Sequence, residues 1–441
     1  MLKEHEQSRS FRRRLKVELE LWQTEGVVSP EQAQTLTTRY DLDNLSREAT
    51  TTFLHSIFLI GAVLIGLGLI AFVAAHWQAI PVPIKVVLLF SVMSASHITG
   101  YVLWKVKGTR PILGHALVLL GSLVFGANIG LMAQIFHIRS NSYNIFVVWS
   151  LGAVAMAYGL RSVPNLLLSI ITSFIWFNAW TWGLDQKLLI YPFAAALICL
   201  PLSYMTKSQF SHLLAVLTIA ISCGISAGKD GNTGQAVALM VTGIGVLLWA
   251  YGDFHRIKDF HQEMAAIGSV LGVLVLSGYA YVLSFHKVAE KVIDSSTNFQ
   301  GLWMVYFILS VVAGFGLCIA RIIGGWPKGY LGLVSTTVFV ASGCLLFLSL
   351  VSVGEVAATI FANIVALALG GMMIAGGLME FKRTLFWLGL LLVILVITSR
   401  FFEYETGLLI KSLVFIVIGV AVLYSGVLFE KHLGRRESAY V

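Results

Sequence analysis

The chain has 441 residues, of which 57% are hydrophobic and only 12% charged, and its formal charge is +8. That balance lies outside the range of soluble domains and leaves no room for a large extramembrane catalytic domain, so the chain is read as an integral membrane protein. The positive total does not imply nucleic-acid binding, because in a membrane protein the sign of each loop carries the information.

Residues 1–50 are polar and form a separate piece. Phe11, Leu15, Leu19 and Trp22 recur at helical spacing, and Gly26 closes that amphipathic helix. In "GVVSPEQAQTLTTRY", Ser29 falls at an N-cap, Pro30 at the first helical position and Gln32 at the capping-box position; Ala33, Leu36 and Tyr40 make the next apolar stripe. A cytoplasmic helical hairpin for docking or self-association is expected. A DNA-reading helix-turn-helix needs a third helix and a basic recognition face, which the stretch lacks. No short basic region followed by an apolar stretch and a cleavage site opens the chain, so insertion is expected to start from the first span.

Fourteen apolar stretches follow, near the roughly 20 residues that cross a hydrocarbon core. They cover residues 53–75, 82–104, 111–134, 143–160, 164–183, 188–205, 211–227, 235–251, 264–285, 301–320, 331–352, 356–378, 385–398 and 408–428. The expected fold class is therefore all-α: a polytopic transmembrane helix bundle of about fourteen spans over residues 51–430, preceded by the hairpin and followed by a basic tail at 431–441. On alternate segments, one side collects 22 of the 30 Lys and Arg and the other 8, which places both termini in the cytoplasm.

All 22 acidic residues lie in the N-terminal piece, in loops or at span ends. Ion-coupled transporters commonly keep an intramembrane carboxylate, although some build ion sites from carbonyls at broken helices, so ordinary ion-driven uptake is disfavoured. Cys199, Cys223, Cys318 and Cys344 sit in apolar runs without CxxC spacing and read as packing residues, not as a disulfide or thiolate metal site.

Within the spans, "GSLVFGANIGLMAQIFHI" carries an amide where hydrocarbon is expected. Gly126 and Gly130 form GxxxG, a spacing that admits a neighbouring helix closely. At about 100° per residue Gln134 shares that face, whereas Asn128 lies opposite. An amide exposed to lipid is costly, so Asn128 is expected to face another helix as a packing hydrogen bond or, alternatively, a cavity with substrate. Gln134 and His137 read as rim residues. His97, in "SVMSASHITGY", reads as satisfying a neighbouring backbone or hydroxyl group, with a proton relay as the functional alternative. Asn363 lies where Ala362, Ala366 and Gly370 repeat at four-residue spacing, another close-packing seam.

His76 and Trp77 leave the first span, where Trp77 reads as an interfacial belt residue. His76, His137 and His286, with Glu290 at i+4 from His286, have metal-ligand chemistry but come from separate loops without an HxxxH pair; solvated interfacial histidines are expected. Asp253, His255, Asp259 and His261 in "YGDFHRIKDFH" are likewise read as a solvated cytoplasmic loop. Arg400, Glu403, Glu405 and Lys411 bracket the turn between the last two spans, as an ion-pair cluster that stabilises the turn or, alternatively, an anion-binding entrance. Lys411, just inside an apolar run, is the better candidate for the entrance and otherwise snorkels.

Several stretches resemble the domain-of-unknown-function family 2157: "EGVVSPEQAQTLTTRY", "LIGAVLIGLGLIAFVAAHWQAIP", "GSLVFGANIGLMAQIFHI" and "VVWSLGAVAMAYGLRS", with the resemblance strongest over residues 17–162. The C-terminal "SRFFE" and "LLIKSLVFIVIGVAVLYSGVLFEKHLGRR" are similar to endings of the same group. Position 76 departs from the pattern, with His in place of the expected Asn. The resemblance implies a polytopic bacterial membrane protein without a settled activity, located in the cytoplasmic (inner) membrane.

No HExxH or GxxxxGK[ST] occurs, so no enzyme, cofactor or metal is expected. The favoured function is a transporter or flippase-like carrier of a small amphiphilic or lipid-linked substrate, because 41 glycines allow helices to slide and the interior holds uncharged polar groups. The alternative is an assembly, scaffold or sensory protein acting through partner membrane proteins or as a homo-oligomer. Membrane lipids are expected partners, nucleic acid is not.

Overall fold

The computed structural model describes residues 9–40, 42, 81–137, 143–183, 190–231, 233–257, 261–293, 295, 301–323, 329–351, 354–403 and 407–437, and single positions between 57 and 71. Among the described residues there are sixteen α-helices and no strand. Residues 1–172 and 173–441 pack as two compact units, each taken by itself below.

The first unit begins with the hairpin. Helix α1 (Arg9–Thr24) ends in a turn at Gly26, which has φ +72°, and α2 (Pro30–Arg39) starts at a reciprocal cap. The Ser29 amide donates to Gln32 Oε1 at 3.0 Å and the Gln32 amide to Ser29 Oγ at 3.3 Å. Leu15, Leu19 and Trp22 meet Ala33, Leu36 and Tyr40 around the buried Leu42, so the two expected stripes form one small core. The expected first span falls mostly outside the described residues.

Helix α3 (Val82–Tyr101) runs into a π-turn at Val102–Val106 and packs on α4 (Pro111–Ile135). Their backbones touch: a Cβ on Gly100 would stand 2.8 Å from the Gly114 carbonyl oxygen, so only glycine fits there. Helix α5 (Asn144–Leu160) closes on the left-handed Arg161, φ 53°, and α6 (Val163–Asn178) follows at once. The Ser150 hydroxyl donates to the Ser169 carbonyl at 3.0 Å across that hairpin.

The second unit contains α7 (Tyr191–Thr206), α8 (Gln209–Asp230), α9 (Gly234–Ile257), α10 (Gln262–Leu283), the short α11 (His286–Ile293), α12 (Leu302–Ile323), α13 (Gly329–Leu350), α14 (Glu355–Glu380), α15 (Arg383–Glu403) and α16 (Leu408–Glu437). Helix α9 is the hub, in contact with α8, α10, α12 and α13. Its Val246 belongs to one core cluster with Leu276, Val338, Leu345, Ala362 and Leu369, all fully buried. The four cysteines are free, three of them buried, as packing residues should be.

Eleven described helices are long and apolar enough to cross a membrane. Two other expected spans are helices of 17 and 16 residues, α5 and α7, about 26 and 24 Å long against a hydrocarbon core of about 30 Å. With the first span outside the described residues, the expected count of fourteen is not established; the multi-helix membrane architecture is. Exposed apolar side chains such as Leu423 at 73% and Val420 at 61% on α16 are where acyl chains replace water.

Candidate functional site

In the first unit, polar side chains tie neighbouring helices together. Asn128 is 5% exposed, and its amide donates to the Leu89 carbonyl of α3 at 3.1 Å. The Nδ2 donor is thus met by a helix and not by lipid, while Oδ1 is buried without a hydrogen-bond partner among the described residues. His97 Nδ1 lies 3.0 Å from the Met93 carbonyl and Nε2 3.3 Å from Ser122 Oγ. A carbonyl only accepts, so a neutral His97 carries its proton on Nδ1, and its Nε2 faces the Ser122 hydroxyl, which also lies 3.2 Å from the Val118 carbonyl. Trp149 of α5 donates from Nε1 to the Ser122 carbonyl at 2.8 Å. Gly126 forms a notch for the Trp149 ring, since a Cβ there would overlap it, whereas at Gly130 the nearest atom is 3.8 Å away. The GxxxG face thus receives a tryptophan side chain where a helix backbone was expected.

Gln134 and His137 are exposed at the end of α4, with His137 in the left-handed region at φ 52°. His76 and Trp77 lie outside the described residues. Asn128→Leu removes a single interhelical amide bond while Leu89 keeps its own helical partner. It is expected to lower stability by about 1 kcal/mol, read as a small drop in the thermal midpoint of the purified protein; a loss several times larger would mean that Asn128 organises more than this contact.

In the second unit, Asn363, Arg400 and Glu403 converge on the turn between α10 and α11. The Ser284 carbonyl, left without a helical partner at the end of α10, accepts from Arg400 Nη1 and from Asn363 Nδ2, the latter at 3.3 Å. Arg400 is ion-paired with Glu403, and Glu403 in turn accepts the His286 amide that opens α11. The cation therefore sits at a helix C-terminus and the carboxylate at a helix N-terminus, the favourable sense for both dipoles. His286 Nε2 is 3.5 Å from Glu355 of α14. Lys411 does not join this pair; its ammonium lies over the Phe402 ring at 6.0 Å. Glu405 is outside the described residues. Arg400 is committed to Ser284 and Glu403, while Lys411, the better candidate for the entrance, stands apart from this cluster.

Among the described residues a half-open cleft of about 360 Å³ lies between α7, α8, α9 and α12. Phe193, Ala196, Val216, Ala220, Met240 and Ile244 form most of its wall, with Tyr251, Tyr306 and Ser310 as its few polar contributors. Phe193 and Leu309 of its lining are 50% and 55% exposed, so apolar side chains flank its opening. Tyr251 also belongs to a chain of polar side chains at one end of these helices. His212 Nε2 is 2.8 Å from Tyr251 Oη, Tyr251 Oη contacts Tyr204 Oη, and Tyr204 Oη is 2.8 Å from His255 Nε2. His212 is 0% and His255 1% exposed.

This corrects the reading of Asp253 and His255 as a solvated loop. Helix α9 continues to Ile257, beyond the expected end at residue 251, and buries both; Asp253 is held by Arg321 of α12 at 3.5 Å. Tyr204, His212 and Tyr251 were not singled out by the sequence. Their signal is collective: four aromatic or imidazole side chains at the same end of three consecutive spans, with Tyr251 and His255 at i,i+4. Among the described residues no group of three or more His, Cys, Asp or Glu is placed to hold a metal ion.

Residues 20–166 match the family described as "Predicted membrane protein (DUF2157)". The match confirms the resemblance seen over residues 17–162, while the C-terminal stretches quoted for it lie beyond the matched part. No curated protein and no solved structure matches the chain.

Proposed function

We propose that this membrane protein is a carrier of a small amphiphilic or lipid-linked molecule, sited in a bacterial cytoplasmic membrane with both chain ends on the cytoplasmic side. The orientation rests on the 22-to-8 division of Lys and Arg between alternate segments. One observation carries the substrate class: the cleft between α7, α8, α9 and α12 is almost wholly apolar, opens past exposed Phe193 and Leu309, and ends against hydrogen-bonded Tyr251. A hydrophilic solute finds few partners on such a wall, whereas an acyl or isoprenoid tail does, with its head group near the tyrosine.

The test is transfer of a fluorescent short-chain phospholipid across liposomes containing the purified protein. Ala220→Trp fills the cleft from the α8 side and is expected to slow transfer by about tenfold or more, a loss of roughly 1.4 kcal/mol or more in binding or barrier, while the helical content stays unchanged. A folded Ala220→Trp protein with the parent rate would remove the cleft from the path. Absence of transfer by the parent protein, in vesicles that lack any partner, would favour the assembly or sensory reading, in which the N-terminal hairpin serves as the docking element.

A further inference from the structure

The hydrogen bonds around Tyr251 have a fixed direction. The Tyr251 backbone carbonyl can only accept, so His255 carries a proton on Nδ1, 2.8 Å away. With His255 neutral, Nε2 accepts from the Tyr204 hydroxyl. A hydroxyl has one proton, so Tyr251 is the donor in its contact with Tyr204, and His212 must donate from Nε2 to the Tyr251 oxygen. His212 Nδ1 is then the acceptor for Ser203, whose hydroxyl lies 2.8 Å from it. Every bond in the order Ser203, His212, Tyr251, Tyr204, His255 points the same way.

We propose that this chain takes up one proton at His212 and passes it to His255. When a proton binds His212 Nδ1, the Ser203 hydroxyl turns to the Leu200 carbonyl, 2.7 Å away, and accepts from the new N–H. His212 releases its Nε2 proton to Tyr251, Tyr251 gives its own to Tyr204, and Tyr204 gives its own to His255 Nε2. One N–H or O–H bond forms for each that breaks, and no electrons leave the chain. His255 ends as the imidazolium and His212 as the neutral tautomer protonated on Nδ1, with every donor again facing an acceptor at the same distances. Both charge states are thus accommodated without moving a helix, a property of relays and not of ordinary packing contacts.

The titratable groups that face the pair are Tyr204 of α7, Tyr251 of α9 and His261 at the start of α10, whose ring centroid is 5.2 Å from that of Tyr204. On the helix of His255, Asp253 is occupied by Arg321 and Arg256 is exposed. The relay rests on hydrogen bonds within the protein alone, so its test can fail or succeed whatever the lipid-transfer assay shows. If both stand, it supplies the carrier with a proton-responsive element.

The full-length protein with ¹⁵N-labelled histidine in lipid nanodiscs tests this by NMR, with ring signals assigned through His212→Gln and His255→Gln. The expected result in the neutral state is opposite tautomers, Nε2–H for His212 and Nδ1–H for His255. On acidification the two rings should change together as the pair takes up one proton, and Tyr204→Phe should abolish that concerted change. The same tautomer in both rings, or independent titration of the two in the parent protein, would overturn the proposal. Should Tyr204→Phe not fold, the parent tautomers and parent titration still decide.

Discussion

Glu403→Leu is expected to destabilise the protein by about 3 to 5 kcal/mol, the usual consequence of stranding one member of a buried ion pair. The side chains of Arg400 and Glu403 are 19% and 12% exposed, so neither has water to fall back on. The carboxylate also receives the His286 amide, and its loss leaves that helix start uncapped. Arg400→Met combined with Glu403→Leu should recover part of the loss, because no charge is then left alone, although Ser284 still loses the guanidinium. Unfolding midpoints in mixed micelles for the two single variants and the double one measure this. A double variant less stable than the parent by the full sum of the two single losses would show that the two residues act separately.

The other large effect is steric. Helices α9 and α10 cross with their backbones in contact, and a Cβ on Gly272 would overlap the Trp249 amide nitrogen and stand 2.8 Å from the Gly245 carbonyl oxygen. Backbone atoms cannot rotate aside, so Gly272→Leu is expected to cost about 3 kcal/mol or more by forcing the helices apart. A Cβ on Gly278, in the same helix, would meet nothing within 4 Å, and Gly278→Ala should be nearly neutral. Equal effects of the two substitutions on the unfolding midpoint would contradict the crossing.

What the sequence revealed follows the range of the forces involved. The hairpin was legible because its caps and stripes are local: Ser29 and Gln32 are three residues apart, and Leu19 meets Ala33 across a short turn. Asn128 was legible as an interhelical donor because hydrocarbon offers an amide no alternative, but Leu89 as its acceptor was not. Arg400 and Glu403 were visible as a pair at i,i+3, whereas their targets Ser284 and His286 lie more than 110 positions earlier and carry no local mark. Charge misled the reading once: Asp253 and Arg256 suggested a loop, and the ion pair with Arg321 that lets α9 carry Asp253 into the bundle was not apparent.

The crossing of α9 and α10 also constrains how the cleft can change shape. Two helices in backbone contact at Gly245, Gly252, Gly268 and Gly272 act as a single stiff plank, with little freedom to slide without collision. Widening must then come from the opposite wall, the α7–α8 pair, where Gly224 has open space beside it and the connection turns through left-handed Lys207. Tyr204 and His212 ride on that pair while Tyr251 and His255 stay with the plank, so any swing of the wall parts the tyrosine–histidine contacts as it admits a guest.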